Sequence, residues 1–180
     1  GGFVVQKFIA PHWGNVVPFA LTSPTQFRPL PPAYFGSQEF IEQTARVLRY
    51  SKNLDDREKV IAEYWADGPE SELPPGHWCL FANYVAARDG QSLDDSVKMF
   101  FAMTNAVLDA SIVSWEAKRY YDYVRPVSAI HHLFKDKPVR AWAGPYQGTR
   151  WILGQDWQPY QAKTVVTPPF AEYMSGHSIF

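Results

Sequence analysis

SLDDSVKMFFAMTNAVLDASIVSWEAKRYY, residues 92–121, decides the fold class of this 180-residue chain. Ser92 with Asp95 resembles a capping box, with aspartate in place of the usual glutamate. Behind it Leu93, Val97, Phe100, Thr104, Leu108, Ser111 and Trp115 recur every three or four residues. That period predicts one long helix, reaching about Tyr121, with one side against a core. Upstream, Phe40, Ile41, Thr44, Val47 and Leu48 follow the same spacing after a capping Ser37. Val60, Ile61, Tyr64 and Trp65 do so after Asn53-Leu54-Asp55-Asp56, whose carboxylates favour a helix N-terminus. Gly68-Pro69 breaks the chain. A further helix is expected over residues 75–88, ending at Asp89-Gly90. A short one is expected after Pro126, because proline suits the first helical position.

Prolines 11, 18, 24, 29, 31 and 32 make residues 1–36 an extended arm, and Phe3, Trp13, Val16, Phe19, Leu21 and Phe27 would pin it to a core. Residues 37–180 form the helical domain. Residues 136–172 are rich in proline and glycine and are expected to be loop, with no strand alternation of useful length. The expected fold is mostly α: a helical bundle with long proline-rich connections, part of a larger bundle. The chain begins Gly1-Gly2-Phe3, and its last residues, Ser175-Gly176-His177-Ser178-Ile179-Phe180, look like a helix opening. A piece of a longer chain is therefore expected.

Composition narrows the function. The chain is 46% hydrophobic and 19% charged, which excludes a wholly disordered chain. A net charge of −1 offers no basic field for nucleic acid or an anionic membrane. A single cysteine, Cys79, excludes an internal disulfide and a zinc-type cysteine cluster. No run approaches the roughly 18 apolar residues of a membrane span.

Two segments carry candidate chemistry. Lys118 and Arg125 lie seven residues apart. Arg125 precedes a proline and is steered out of the α region, so the chain is expected to turn and aim Arg125 back toward Lys118. Two cations aimed at one spot suit a multiply charged oxyanion. Taken alone, the pair could simply complement a helix dipole. In the second segment, Ser175-Gly176 at a helix start leaves N–H groups accessible to an anion. His177 can serve as acid or base near neutral pH. The plain alternative is a serine cap beside a surface histidine.

Together these segments resemble the vanadium-dependent haloperoxidase and type 2 phosphatidic acid phosphatase superfamily. Lys118, six residues, then Arg125-Pro126, followed by Ser175-Gly176-His177, matches its first two motifs. The flanking text is similar to the soluble bacterial haloperoxidase branch: Pro11-His12-Trp13-Gly14, Pro18-Phe19-Ala20-Leu21, Pro75-Gly76-His77-Trp78, residues 109–118, Trp157-Gln158-Pro159 and Thr167-Pro168-Pro169-Phe170. The resemblance implies that Lys118, Arg125, Ser175 and the Gly176 N–H hold the oxygens of vanadate, or of phosphate as a competing ligand. It implies that His177 is an acid–base group and that Lys118 polarises bound peroxide. The implied reaction is oxidation of halide by hydrogen peroxide to hypohalous acid, which passes to a small organic acceptor. Met174 stands where the family usually has proline before Ser-Gly-His. The third motif, with a further arginine and the vanadium-ligating histidine, is expected beyond residue 180, so no residue of this chain would ligate vanadium. This chain alone would be inactive unless another segment, a second chain or a homo-oligomeric neighbour completed the site. The alternatives are an acid phosphatase acting on phosphate monoesters with the same cradle, and a non-catalytic helical module.

The remaining polar residues have plainer expectations. Asp109 and Glu116 share a helix face and would orient Lys118 or Arg125, or pair with other cations. Adjacent His131 and His132 cannot form an i, i+4 metal pair. His12 and His77 sit beside tryptophans and are expected to pack and to hydrogen-bond backbone. Tyr120, Tyr121 and Tyr123 are core and rim aromatics, and Cys79 is expected to be buried and inert.

Overall fold

The computed structural model describes residues 7–68, 70–161, 165 and 167–180. The expectations for Phe3 and Pro69 fall outside these residues. Six helices and one strand pair follow in the order α1 (Gln38–Asn53), α2 (Asp56–Tyr64), α3 (Leu73–Arg88), α4 (Leu93–Tyr121), α5 (Pro126–Leu133), β1 (Pro138–Trp142), β2 (Thr149–Leu153) and α6 (Gly176–Ile179). The fold is mostly α, as expected. Its contacts divide it into two units. Unit 1 comprises Gly1–Leu30, Asp67–Asp122 and Tyr173–Phe180; unit 2 comprises Pro31–Ala66 and Tyr123–Glu172.

The helix starts are set by local chemistry. Ser37 Oγ accepts the Phe40 N–H at 3.2 Å. Asp55 and Glu58 close a reciprocal capping box, with bonds of 2.8 and 3.2 Å. Ser92 Oγ accepts the Asp95 N–H and donates to the Asp95 carboxylate. The aspartate is one methylene shorter than the glutamate of a capping box, and its bond is to the serine hydroxyl. α4 stops where Asp122 turns left-handed, at φ 43°, and returns its N–H to the Lys118 carbonyl. Arg125 takes an extended conformation before Pro126, the first residue of α5.

In unit 1, α4 packs against α3, the arm and α6. Ile112, Val113 and Ala117 are buried on α4, and Ala82 on α3. The arm lies along α4 through a 3-10 turn at Trp13–Asn15. Trp13 Nε1 donates to Ser111 Oγ at 2.8 Å, and Trp115 Nε1 to the Ile9 carbonyl at 3.0 Å. Gly14 permits this approach, since a Cβ there would lie 2.7 Å from Glu116 Cα.

The buried face of α4 is not the expected stripe. Leu93, Val97 and Thr104 are exposed, and burial concentrates between Asp109 and Lys118. The first half of α4 carries apolar residues on more than one side, among them Val97, Met99, Phe100 and Phe101, so its sequence period did not define which side would be covered. The stretch Leu93–Leu133 also meets a length-and-hydropathy criterion for a membrane span, although no single apolar run is that long. Only 22% of its 18-residue apolar window is buried, and α4 buries Asp109 and Lys118 within unit 1.

In unit 2, α1 packs on α5 and on an antiparallel hairpin in which Val139 faces Ile152. The hairpin corrects the expectation of loop over residues 136–172. Each strand is only five residues long, with Pro138, Arg140 and Arg150 diluting the apolar pattern. Only Val139, Ala141 and Trp142 of β1 are buried. Leu48, Ile130, Val139, Ala141 and Trp157 form one cluster; Ala33, Phe40 and Ala129 form another. Ser51 Oγ accepts from Trp157 Nε1 and from the Trp142 N–H, tying α1 to both. Gly154 passes so close to α5's end that a Cβ would lie 2.2 Å from the Phe134 carbonyl oxygen.

Gly154→Ala should therefore cost about 1–3 kcal/mol, the usual penalty of overpacking. Gly68→Ala, with open space around the new Cβ, should stay within about 0.5 kcal/mol. Equal midpoints for the two variants in urea denaturation would refute this packing.

Candidate functional site

Ser114, Lys118 and Tyr121 lie at i, i+4 and i+7 on α4, so they share one face. Ser114 Oγ donates to the Met174 carbonyl at 3.4 Å. The Tyr121 ring meets the Tyr173 ring edge-on, with centroids 5.5 Å apart. Lys118 stands between these two contacts and is only 1% exposed. Ser175 caps α6, a helix of four residues, and its side chain makes no capping hydrogen bond. Ser175 and His177 are exposed, and Gly176 is half-buried. Unit 1 thus runs the residues just before Ser175-Gly176-His177 along the face of α4 that carries Lys118. Beside them lies an apolar cavity of about 420 Å³, lined by Ala106, Ala110 and Val113 of α4, by Leu21 and Phe27 of the arm, and by Met174 and Ile179.

Two carboxylates of α4, Asp109 and Glu116, are engaged by the arm. Asp109 accepts the backbone N–H groups of Phe19, Ala20 and Leu21 at 2.6, 2.8 and 3.1 Å. Burial pushes its carboxyl pKa up, but the three donors outweigh burial and the net shift is downward. Glu116 pairs with Arg28 through two hydrogen bonds, from Nε at 3.0 Å and from a terminal nitrogen. The Arg28 guanidinium lies 3.7 Å from the centroid of the Tyr120 ring. Tyr121 donates to the Pro29 carbonyl at 2.6 Å, and Tyr173 to that of Leu30 at 2.9 Å. No spacing in the sequence marked Arg28, Phe19, Ala20 or Leu21 as partners of α4, because their contacts lie about ninety residues away in the chain.

Arg125 belongs to unit 2. Its Nε donates to the Phe170 carbonyl at 2.8 Å and a terminal nitrogen donates to that of Pro168 at 3.3 Å. The guanidinium also lies 4.6 Å from the centroid of the Phe170 ring. Burial lowers its pKa, and the nearby Glu172 carboxylate opposes that shift. The Glu172 N–H returns to the Tyr123 carbonyl at 3.1 Å. Tyr123 itself donates to the Ala33 carbonyl at 2.6 Å. Burial, then Glu172 and Glu39, raises its phenol pKa.

His131 and His132 make packing contacts in unit 2. His131 Nε2 lies 2.7 Å from the Trp157 carbonyl oxygen, and the His132 ring sits 5.2 Å from Phe35. His77 Nδ1 pairs with the Asp67 carboxylate, a side-chain partner that the expectation of backbone bonding did not include. Cys79 is half-buried, where full burial was expected: its helix, α3, buries only His77 and Ala82.

Residues 98–180 match a family model described as the VCPO second helical-bundle domain. The chain is similar to an apo-type bacterial vanadium-dependent chloroperoxidase at 26% identity, with a TM-score of 0.77. That likeness covers 97% of this chain and 38% of the other. The holo-type bacterial vanadium-dependent chloroperoxidase gives 26% identity and 0.75, covering 99% and 37%. A bacterial vanadium-dependent iodoperoxidase gives 28% and 0.69, covering 96% and 39%. No curated protein sequence matches. The resemblance drawn from the motifs therefore holds over nearly the whole chain, which spans under two-fifths of the length of these relatives.

The arm's hold on Asp109 is testable. Asp109→Ala should cost about 1–3 kcal/mol by leaving backbone donors unpaired. Because the folded pKa is depressed, the carboxylate's contribution is present above the ordinary value of 3.8 and is lost as pH falls below it. Acid titration of stability should accordingly show a smaller loss in Asp109→Ala than in the wild type. Identical acid profiles would refute the clamp.

Proposed function

We propose that this chain, a relative of the vanadium haloperoxidases, supplies the Lys118, Arg125, Ser175, Gly176 and His177 portion of a vanadate cradle in an enzyme that oxidises halide with hydrogen peroxide. The observation that carries this reading is the face of α4 on which buried Lys118 lies between Ser114 and Tyr121, the contacts of Met174 and Tyr173. An ammonium taken out of water is costly, and a multiply charged anion offsets that cost better than a neutral ligand.

The donor types suit vanadate: Lys118 offers an ammonium, Arg125 a guanidinium, Ser175 a hydroxyl and Gly176 a backbone N–H. Lys118 acts as a point charge, and Arg125, held by the Phe170 and Pro168 carbonyls, contributes its remaining guanidinium N–H groups. The Ser175 hydroxyl and Gly176 N–H add neutral donors to this set. Donors held in place before the ligand arrives stabilise negative charge without reorganising. Vanadate, when bound, supplies the Lewis-acid centre at which peroxide becomes electrophilic toward halide. His177, exposed at the start of α6, would serve the acid–base steps of the reaction. Phosphate, with the same charge and shape, would compete for these donors.

Isothermal titration with micromolar orthovanadate tests the cradle. Wild-type protein should bind it, phosphate should displace it, and Lys118→Met should weaken binding at least tenfold, about 1.4 kcal/mol for one charged partner. Binding that is absent, or unchanged in Lys118→Met, would overturn the assignment.

A further inference from the structure

Unit 1 contains a second cluster of ligating side chains at the start of α3, away from the residues assigned above. One ligand atom each from Asp67, Glu72 and His77 lies within 4.8 Å of the other two. We propose that these three residues form a site for a borderline divalent cation of the zinc class, which fastens the chain around Asp67 to the first turns of α3.

The geometry favours such an ion. His77 Nδ1 lies 3.0 and 3.2 Å from the two Asp67 oxygens. Zinc bonds imidazole nitrogen and carboxylate oxygen at about 2.0–2.2 Å, which sets neighbouring tetrahedral ligands about 3.3 Å apart. The Asp67–His77 pair is already close to that spacing, and a small inward movement of Glu72 completes three ligands. Both members of the pair are buried, with side chains 7% and 6% exposed. Buried ionisable groups are paired or coordinate metals. Two carboxylates with a neutral imidazole carry two negative charges, which a divalent cation neutralises. Glu72 is exposed, so the fourth position faces water.

Local structure places Glu72 beside the first turn of α3. It occupies the residue before α3, and His77 follows in the second turn. Gly76 lies beneath it: a Cβ at Gly76 would approach Glu72 Cβ to 2.8 Å. Glycine thus leaves room for the Glu72 side chain over the first turn. The imidazole in the set selects against calcium and magnesium, which prefer all-oxygen sites.

Titration of the metal-stripped chain with zinc chloride, followed by calorimetry, tests the site. One equivalent should bind with a micromolar or lower Kd, and calcium should give no saturable heat. Glu72→Gln, an exposed substitution that preserves shape, should weaken zinc binding at least tenfold. His77→Gln should abolish it, with the Glu72 variant deciding the matter if the buried change prevents folding. No saturable zinc binding, or an unchanged Kd in Glu72→Gln, would overturn the proposal and leave Asp67–His77 as a simple ion pair.

Discussion

Asp109 is the contact on which unit 1 depends. A carboxylate in the interior of a helix has no use for the helix's own N–H groups, since these already bond four residues back. It therefore takes donors from elsewhere, and the arm offers three in succession at Phe19, Ala20 and Leu21. An irregular, proline-punctuated segment has no ladder of its own for these groups, and burying them unpaired would be costly. Each side thus resolves the other's deficit. The remaining arm contacts repeat the logic: Trp115 donates to Ile9, Tyr121 to Pro29, and Arg28 covers Glu116.

With Asp109 and Glu116 engaged in this way, α4 can bury a cation on another part of its surface. Lys118 lies two residues beyond Glu116 and is the largest fully buried side chain among the described residues. A lysine chain in that position would ordinarily reach for water. Here it is held inside the fold, on the face that meets Tyr173 and Met174. The first half of α4 contrasts with it: Leu93, Val97 and Phe101 are exposed on unit 1.

Much of this was legible in the sequence, for identifiable reasons. Helix starts were readable because Ser37, Asp55 and Ser92 act on neighbours three residues away. The bend at Arg125 followed from Pro126 alone. The hairpin escaped detection because five-residue strands carry too little alternation, and its stability comes from Ser51 and Leu48 of α1, distant in sequence. The covered side of α4 was likewise hidden, since a helix apolar on more than one side names no partner. Lys118, Arg125 and the Ser-Gly-His segment stood out by residue type and spacing. The partners of Asp109 and Glu116 did not, because backbone donors and a lone arginine carry no periodic mark.

The similarity to bacterial vanadium chloroperoxidases and an iodoperoxidase agrees with the fold over nearly all of this chain, at 26–28% identity. The central claim is narrower: the face of α4 bearing Lys118 and the segment Ser175-Gly176-His177 together receive an oxyanion. Backbone amide NMR of the isotopically labelled chain during addition of orthovanadate tests it most directly. The account predicts saturable shifts at the Ser175, Gly176 and His177 amides, which vanish in Lys118→Met. Shifts that bypass these amides, or that persist without Lys118, would contradict it.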